Sequence, residues 1–299
     1  MNELNTDLRL RDFIQQRDMS QSAMVHLIAF PSDQGVLINN GRPGSAHAPE
    51  LIRARLFNLT PHPAYTQKHT KLLRKVVDSG SIPCSEDLDS DQNLLGSTLA
   101  ERLMKKIIPV VMGGGHETAY GHFLGYVHAG KPVTIVNIDA HTDVRPLKNG
   151  RSHSGSPFRQ AIEHPSGLCI GYHVFGLNPS TVATDHDQFV REHGSVHYES
   201  DTTLESIINC FRSAGESVMV TMDMDAVCQS EAPGVSAPNA SGLSSKFWLN
   251  LAFELGKQPN VTSFDLCEVN PTYDVDGQTI RLAALTIWNY LLGVALREL

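Results

Sequence analysis

The sequence predicts an α/β fold in which a parallel sheet is covered by helices on both sides. Three observations predict it. Short apolar, β-rich runs recur along the chain; most are continuously apolar rather than alternating, as strands buried on both faces are; and helical patterns lie between them. In chain order the strand candidates are 24–30 (MVHLIAF), 75–77 (KVV), 107–112 (IIPVVM), 133–138 (VTIVNI), 168–175 (LCIGYHVF), 196–198 (VHY), 217–222 (SVMVTM) and 261–266 (VTSFDL). The helix candidates are 48–57, 92–106, 117–129, 202–214, 245–255 and 280–296. Alternating β and α elements argue for parallel strands joined by crossover helices.

No internal repeat, low-complexity tract or Pro/Gly/Ser linker divides the 299 residues. One domain over 21–299 is expected, with 1–20 as a loosely attached N-terminal extension. Those first residues carry charges of both signs and no apolar run, so they do not read as a signal peptide. No stretch approaches the ~18 apolar residues of a membrane span. The net charge of −8 disfavours nucleic acid and anionic membranes as partners, since both favour a cationic face. The five cysteines, Cys84, Cys169, Cys210, Cys228 and Cys267, are odd in number and form no C-x-x-C pair. A disulfide framework or thiolate zinc site is not expected, and a reducing, cytoplasmic compartment is.

In an open parallel sheet, ligands bind beyond the carboxyl ends of the strands, so the residues that follow each run are the informative ones. After 107–112 comes Gly-Gly-Gly-His116; after 133–138, Asp139-Ala-His141-Thr-Asp143; after 217–222, Asp223-Met-Asp225; after 261–266, Cys267-Glu268. At i, i+2 and i+4 of an extended segment, Asp139, His141 and Asp143 point the same way, and Asp223 and Asp225 repeat the spacing. Each motif has a plain structural reading, because an Asp at a strand end often caps the next helix and His116 could be a loop residue. That all three follow strands argues for one shared site. With His116 they offer four carboxylates and two imidazoles, an oxygen-rich, thiolate-free set that suits Mn²⁺ better than structural Zn²⁺. The four acids balance two divalent ions rather than one. Two ions about 3.5–4 Å apart can share one water as a bridging hydroxide at neutral pH, a nucleophile for a planar carbon.

These blocks, with Asp265-Leu-Cys-Glu268-Val-Asn-Pro271, resemble in order and spacing the four signature blocks of the ureohydrolase superfamily, which comprises arginases, agmatinases and formimidoylglutamases. The resemblance extends from Asp33 to the closing helix and covers nearly all of the chain beyond the extension. It implies a three-layer α/β/α sandwich with a central eight-stranded parallel sheet. It also implies a binuclear manganese site, two Mn²⁺ per chain, held by His116, Asp139, His141, Asp143, Asp223 and Asp225. Glu268 falls where the superfamily has the acid that holds the substrate's amidine or guanidine cation.

Within the superfamily the chain is most similar to formimidoylglutamases. Arginases carry Asn where this chain has Arg145, and arginases and agmatinases carry His where it has Ser154. The D-x-R pattern and Ser154-Gly-Ser-Pro-Phe158 resemble the formimidoylglutamase pattern, as do 40–44, 232–238 and 279–283. His153 departs from it. Bottom-up chemistry agrees: a substrate with one amidinium and two carboxylates needs acids near the metals and a cation further out, and a guanidinium matches a carboxylate fork. The expected reaction is hydrolysis of N-formimidoyl-L-glutamate to L-glutamate and formamide, as in histidine breakdown, with Asp143 as proton donor and Glu268 on the amidinium. Arg42 reads as a second carboxylate clamp or a structural ion pair, and Asn178 as a substrate contact or a turn former. The rival readings are another amidine or guanidine hydrolase of the superfamily, and an inactive regulatory member. A homo-oligomer is possible.

Overall fold

The computed structural model describes residues 7–16 and 23–297. Among them nine strands form one sheet: β1 (Gln15–Gln16), β2 (Val25–Phe30), β3 (Val76–Ser81), β4 (Ile108–Gly113), β5 (Val133–Ile138), β6 (Cys169–Leu177), β7 (Gly194–Tyr198), β8 (Val218–Asp223) and β9 (Val261–Cys267). The order across the sheet is β1-β3-β2-β4-β9-β8-β5-β6-β7, and every pairing is parallel. The eight expected strands are all present. The ninth, β1, adds two residues beside β3 at one edge.

The described residues also form ten helices: α1 (Gln34–Ile38), α2 (Ala48–Phe57), α3 (Thr66–Leu73), α4 (Leu88–Met104), α5 (Thr118–Ala129), α6 (Pro157–Ile162), α7 (Thr184–His193), α8 (Leu204–Ser213), α9 (Ser245–Lys257) and α10 (Gln278–Ala295). On one face α2, α8, α9 and α10 bury Ile52, Phe211, Trp248, Leu251 and Ile287 against Leu27, Val110, Val220 and Leu266. On the other, α4 to α7 bury Leu99, Phe123, Phe158 and Val190 over Val111, Ile135, Val174 and Met219. The central strands are therefore covered on both faces, which is why they read as unbroken apolar runs. No helix among the described residues is long and apolar enough to cross a membrane.

The expected N-terminal extension divides. Residues 1–6 and 17–20, and with them the boundary at 20, lie outside the described residues. Residues 7–16 are not loosely attached: Leu10 and Ile14 sit in the main core, and the Leu10 amide donates to the Leu59 carbonyl at 2.8 Å. Two buried residues, Leu10 and Ile14, spaced within a polar stretch leave no apolar run to read.

Candidate metal centre

The site lies at the carboxyl ends of β4, β9, β8 and β5, which are adjacent although β4 and β5 are consecutive in the sequence. The chain passes from β4 over a gap to β5, runs outward to β7, and returns to fill the gap with β8 and β9. Connections on the two sides of the gap travel in opposite directions, and this opens a crevice above it.

Glycines bring His116 into that crevice. A Cβ on Gly114 would lie 1.9 Å from the Ser32 carbonyl oxygen, and one on Gly115 would lie 2.1 Å from Glu117 Oε2. Only bare backbone passes there. The two aspartate blocks share one local device. Asp139 Oδ1 accepts the His141 amide at 2.7 Å, and Asp223 Oδ1 accepts the Asp225 amide at 2.8 Å. Each pair thus turns out of its strand instead of extending it, as Asp side chains do when they bond two residues ahead. The expected strand-like alternation through Asp143 is replaced by a turn, with Asp143 in the left-handed region at φ 46°.

The six side chains converge. His116 Nδ1 lies 3.0 Å from Asp143 Oδ2, 3.1 Å from Asp223 Oδ2 and 3.3 Å from Asp139 Oδ2. His141 Nδ1 lies 3.1 Å from Asp225 Oδ2 and 3.5 Å from Asp139 Oδ1. The donor atoms of His116, Asp139, Asp143 and Asp223 fall within 4.8 Å of one another, as do those of Asp139, His141 and Asp225. Asp139 belongs to both groups, so two neighbouring cation positions share it.

Burial and mutual repulsion push Asp223 well above the usual carboxylate range, and burial also raises Asp225. For Asp139 the hydrogen bonds from His116 and His141 outweigh burial and hold it low. Both histidines would be lowered by burial, but the carboxylates around them raise them well above the ordinary value. Asp225 Oδ1 is buried with no hydrogen-bond partner. A cluster of buried acids with an unpaired oxygen is costly unless cations fill it. The oxygen and imidazole donors fit a pair of divalent ions such as Mn²⁺. The Cys267 thiol, next to Glu268, is turned to Asp265 Oδ1 at 3.3 Å.

Glu268 stands beside this cluster. Its Oε1 accepts the His116 amide at 2.8 Å, whereas its Oε2 is buried without a partner. Burial and the charge of Glu117 push its pKa well up. One oxygen is thus anchored and the other is left for a cationic N–H donor. Arg145 is exposed at the rim. Its stem crosses Gly155, where a Cβ would lie 3.0 Å from Arg145 Cδ, and its Nη1 donates to Asn39 Oδ1 at 3.2 Å. Asn39 Nδ2 donates in turn to Ser154 Oγ at 3.1 Å. Arg145 and Ser154 are therefore brought together, and the residue joining them, Asn39, was missed in the sequence because it carries no motif.

Arg42 is not a free clamp. Its Nε and one Nη donate to the Ser236 and Val235 carbonyls at 2.9 and 2.5 Å, and its guanidinium stacks on Tyr273 at 4.1 Å. It anchors a loop through carbonyl contacts rather than the expected ion pair. Asn178 likewise serves its own turn. Its Oδ1 accepts the Ser180 amide at 3.0 Å and its Nδ2 donates to Asn239 Oδ1 at 3.0 Å. His153 is buried, and its ring ties Gly155 to the Pro146 carbonyl, so it shapes the loop under Arg145. Glu117 was also missed: it accepts the Gly35 amide at 2.8 Å and so ties α1 to the His116 loop.

Comparison with known proteins agrees with this geometry. A model of the arginase family matches residues 23–293. The chain is 38% identical over 288 residues to a formimidoylglutamase of Geobacillus sp. (strain WCH70), covering 93% of this chain and 85% of that one. It is 33% identical over 279 residues to the formimidoylglutamase of Rhodococcus jostii (strain RHA1), covering 87% and 83%. The crystal structure of Trypanosoma cruzi formiminoglutamase with Mn2+2 superimposes with a TM-score of 0.90 at 30% identity, covering 98% of this chain and 100% of that one.

Proposed function

The chain belongs to the arginase family, and from that premise we propose that it hydrolyses N-formimidoyl-L-glutamate to L-glutamate and formamide, using two Mn²⁺ ions. The observation that carries this reading is the order of charge along the crevice. Buried acids lie inside, with Glu268 Oε2 unpaired, and the guanidinium of Arg145 lies at the rim. A ligand with an amidinium at one end and carboxylates at the other matches that order. Agmatine, with an ammonium at its far end, meets a like charge there. The family relatives named formimidoylglutamase support the same substrate.

When bound by His116, Asp139, His141, Asp143, Asp223 and Asp225, the ions supply Lewis acidity and make water nucleophilic at neutral pH. The protein's own groups do the rest. Glu268 orients the amidinium by charge-assisted hydrogen bonds. Asp143, whose side chain at 13% exposure is reachable from the crevice, takes a proton from the attacking water and hands it to the departing glutamate amine. Arg145 holds the carboxylates, with Ser154 beside it. Water adds across the formimidoyl C–N bond, so carbon keeps the oxygen as formamide and nitrogen leaves as the amine. We also place the enzyme in the cytoplasm, as a homo-oligomer of single-domain chains in which residues 7–16 share the core with the rest.

The test is turnover by Mn²⁺-loaded protein of formimidoylglutamate, arginine, agmatine and an uncharged formamidine, for wild type and Arg145→Ala. Formimidoylglutamate is the expected substrate. Arg145→Ala should raise its KM by the equivalent of about 1 kcal/mol, the upper range for a solvent-exposed ion pair, and leave the formamidine unaffected. Equal losses on both substrates would rule out the carboxylate clamp.

A further inference from the structure

The side of His116 that faces away from the crevice leads into a buried chain of polar groups. His116 Nε2 lies 2.9 Å from Thr221 Oγ1, and the Thr221 hydroxyl donates to Asp265 Oδ1 at 2.6 Å. Asp265 Oδ2 lies 2.6 Å from His122 Nδ1. All four side chains are buried, at 0 or 1% exposure. The topology builds this chain: Thr221 and Asp265 are register partners on β8 and β9, and α5 brings in His122. Thr221 precedes Asp223 by two, so both lie on one side of their strand.

The chain has a direction. A hydroxyl carries one proton, and Thr221 gives it to Asp265. Towards His116 the same oxygen can only accept, so Nε2 must be the donor. The ring nitrogen left with a lone pair is Nδ1, the one that faces Asp139, Asp143 and Asp223. We propose that Asp265, acting through Thr221, is a positioning residue that fixes His116 as the Nε2–H tautomer and presents Nδ1 to the cation. His122 completes the arrangement by donating to the second oxygen of Asp265, which keeps that carboxylate an acceptor aimed at Thr221. The proposal rests on the two-cation reading of the site. An acid that orients a metal-binding histidine through a hydrogen bond typically contributes 10–100-fold to metal affinity.

Asp265→Asn keeps the shape but can turn an NH₂ towards Thr221. The chain then reverses: Thr221 donates to Nε2, the ring proton moves to Nδ1, and the ligand position is blocked. Thr221→Val cuts the chain with almost no change of volume, and Thr221→Ser restores it. Mn²⁺ is titrated into metal-free wild type and the three variants by calorimetry, and the spin coupling of the bound ions is read by electron paramagnetic resonance. Wild type should bind two ions with a coupled-pair spectrum. Asp265→Asn and Thr221→Val should bind one of them ~10–100-fold more weakly and show an isolated-ion spectrum at low loading. Thr221→Ser should match wild type. If both disruptive variants keep two ions at wild-type affinity, even with lowered thermal stability, the relay is only structural and the proposal is overturned. Should Asp265→Asn fail to fold, Thr221→Val decides alone. A wild type that binds no Mn²⁺ would overturn the reading of the site itself.

Discussion

Asp143 and Glu268 both hold left-handed backbone conformations, with φ of 46° and 65°. Such angles cost a non-glycine residue of order 1 kcal/mol or more and persist where the surroundings impose them. Around Glu268 the imposition is visible: its amide donates to the Gly114 carbonyl at 2.8 Å while its Oε1 receives the His116 amide at 2.8 Å. The turn locks the β4 loop to the β9 loop and leaves Oε2 free. Glu268→Gln keeps the shape and the possible bond from His116 but removes the charge that faces the amidinium. Its kcat/KM should fall by at least ~100-fold, a cost of ~2.7 kcal/mol in a dry site. Two ions should remain bound, as metal analysis would show; loss of metal would mean that Glu268 serves the ions instead. The sequence showed that these two residues belong to the site, because their motifs follow strands. It could not show the turns, since a positive φ on Asp or Glu leaves no mark in residue type. It also left Arg42 open between a second carboxylate clamp and a structural ion pair. The carbonyls of Val235 and Ser236 within reach of Arg42 decide against the clamp.

At the level of elements, what could be read followed what was buried. Strands covered on both faces appeared in the sequence within a few residues of their observed bounds. Next to the edge, β3 was read only through Val77, because its later residues alternate between half-buried and exposed. Helix α7 was missed: in TDHDQFVREH only Val190 is buried, so no apolar stripe forms at helical spacing. The pairing of α9 with α10 was equally invisible, although both helices were expected. They cross through glycines. A Cβ on Gly293 would lie 2.2 Å from the Phe253 carbonyl oxygen and 2.8 Å from Gly256 Cα. In an open helix Gly→Ala stabilises by up to ~1 kcal/mol. Here the added methyl meets backbone, and the helices must separate against a packed interior, at ~1–3 kcal/mol. Gly293→Ala should therefore lower the melting temperature, by roughly 2–4 °C for each kcal/mol lost at Tm, with bound metal unchanged. A melting temperature at or above wild type would show that the crossing has slack.

Across the whole molecule, the site joins three strand ends, with His116 from β4, Asp139, His141 and Asp143 from β5, and Asp223 and Asp225 from β8. Ions bound there hold together the two halves of the sheet that meet at the crevice, and anything that binds only the folded state stabilises it, by about 2.7 kcal/mol at a hundred times its dissociation constant. The size of that effect depends on pH. Asp223 and Asp225 are raised in the folded protein by burial. Burial likewise lifts Glu117 from 4.5 to about 8. His116 and His141 are lowered by burial but raised further by their carboxylate neighbours, for a net increase. Without ions these groups hold more protons in the folded state than in the unfolded chain between about pH 4.5 and 8, whereas burial lowers His69, His153, His164, His173 and His197, which offset them below the ordinary histidine value of 6.5. Groups raised in this way stabilise fully below their unfolded values, and that stability is lost as pH rises through the folded ones. Asp139 is shifted the opposite way, but its contribution falls at the acid end, outside this window. Binding of ions displaces the same protons, so affinity climbs as pH rises. Above the ordinary histidine value the chelated protein should thus melt at progressively lower temperature as pH rises from about 7 to 8, while protein with excess Mn²⁺ holds its melting temperature far better. The gap between the two should widen with pH when both are followed by thermal unfolding in matched buffers. A gap that stayed constant or narrowed would mean that the buried acids do not exchange protons for ions, and the two-cation reading would lose its energetic basis.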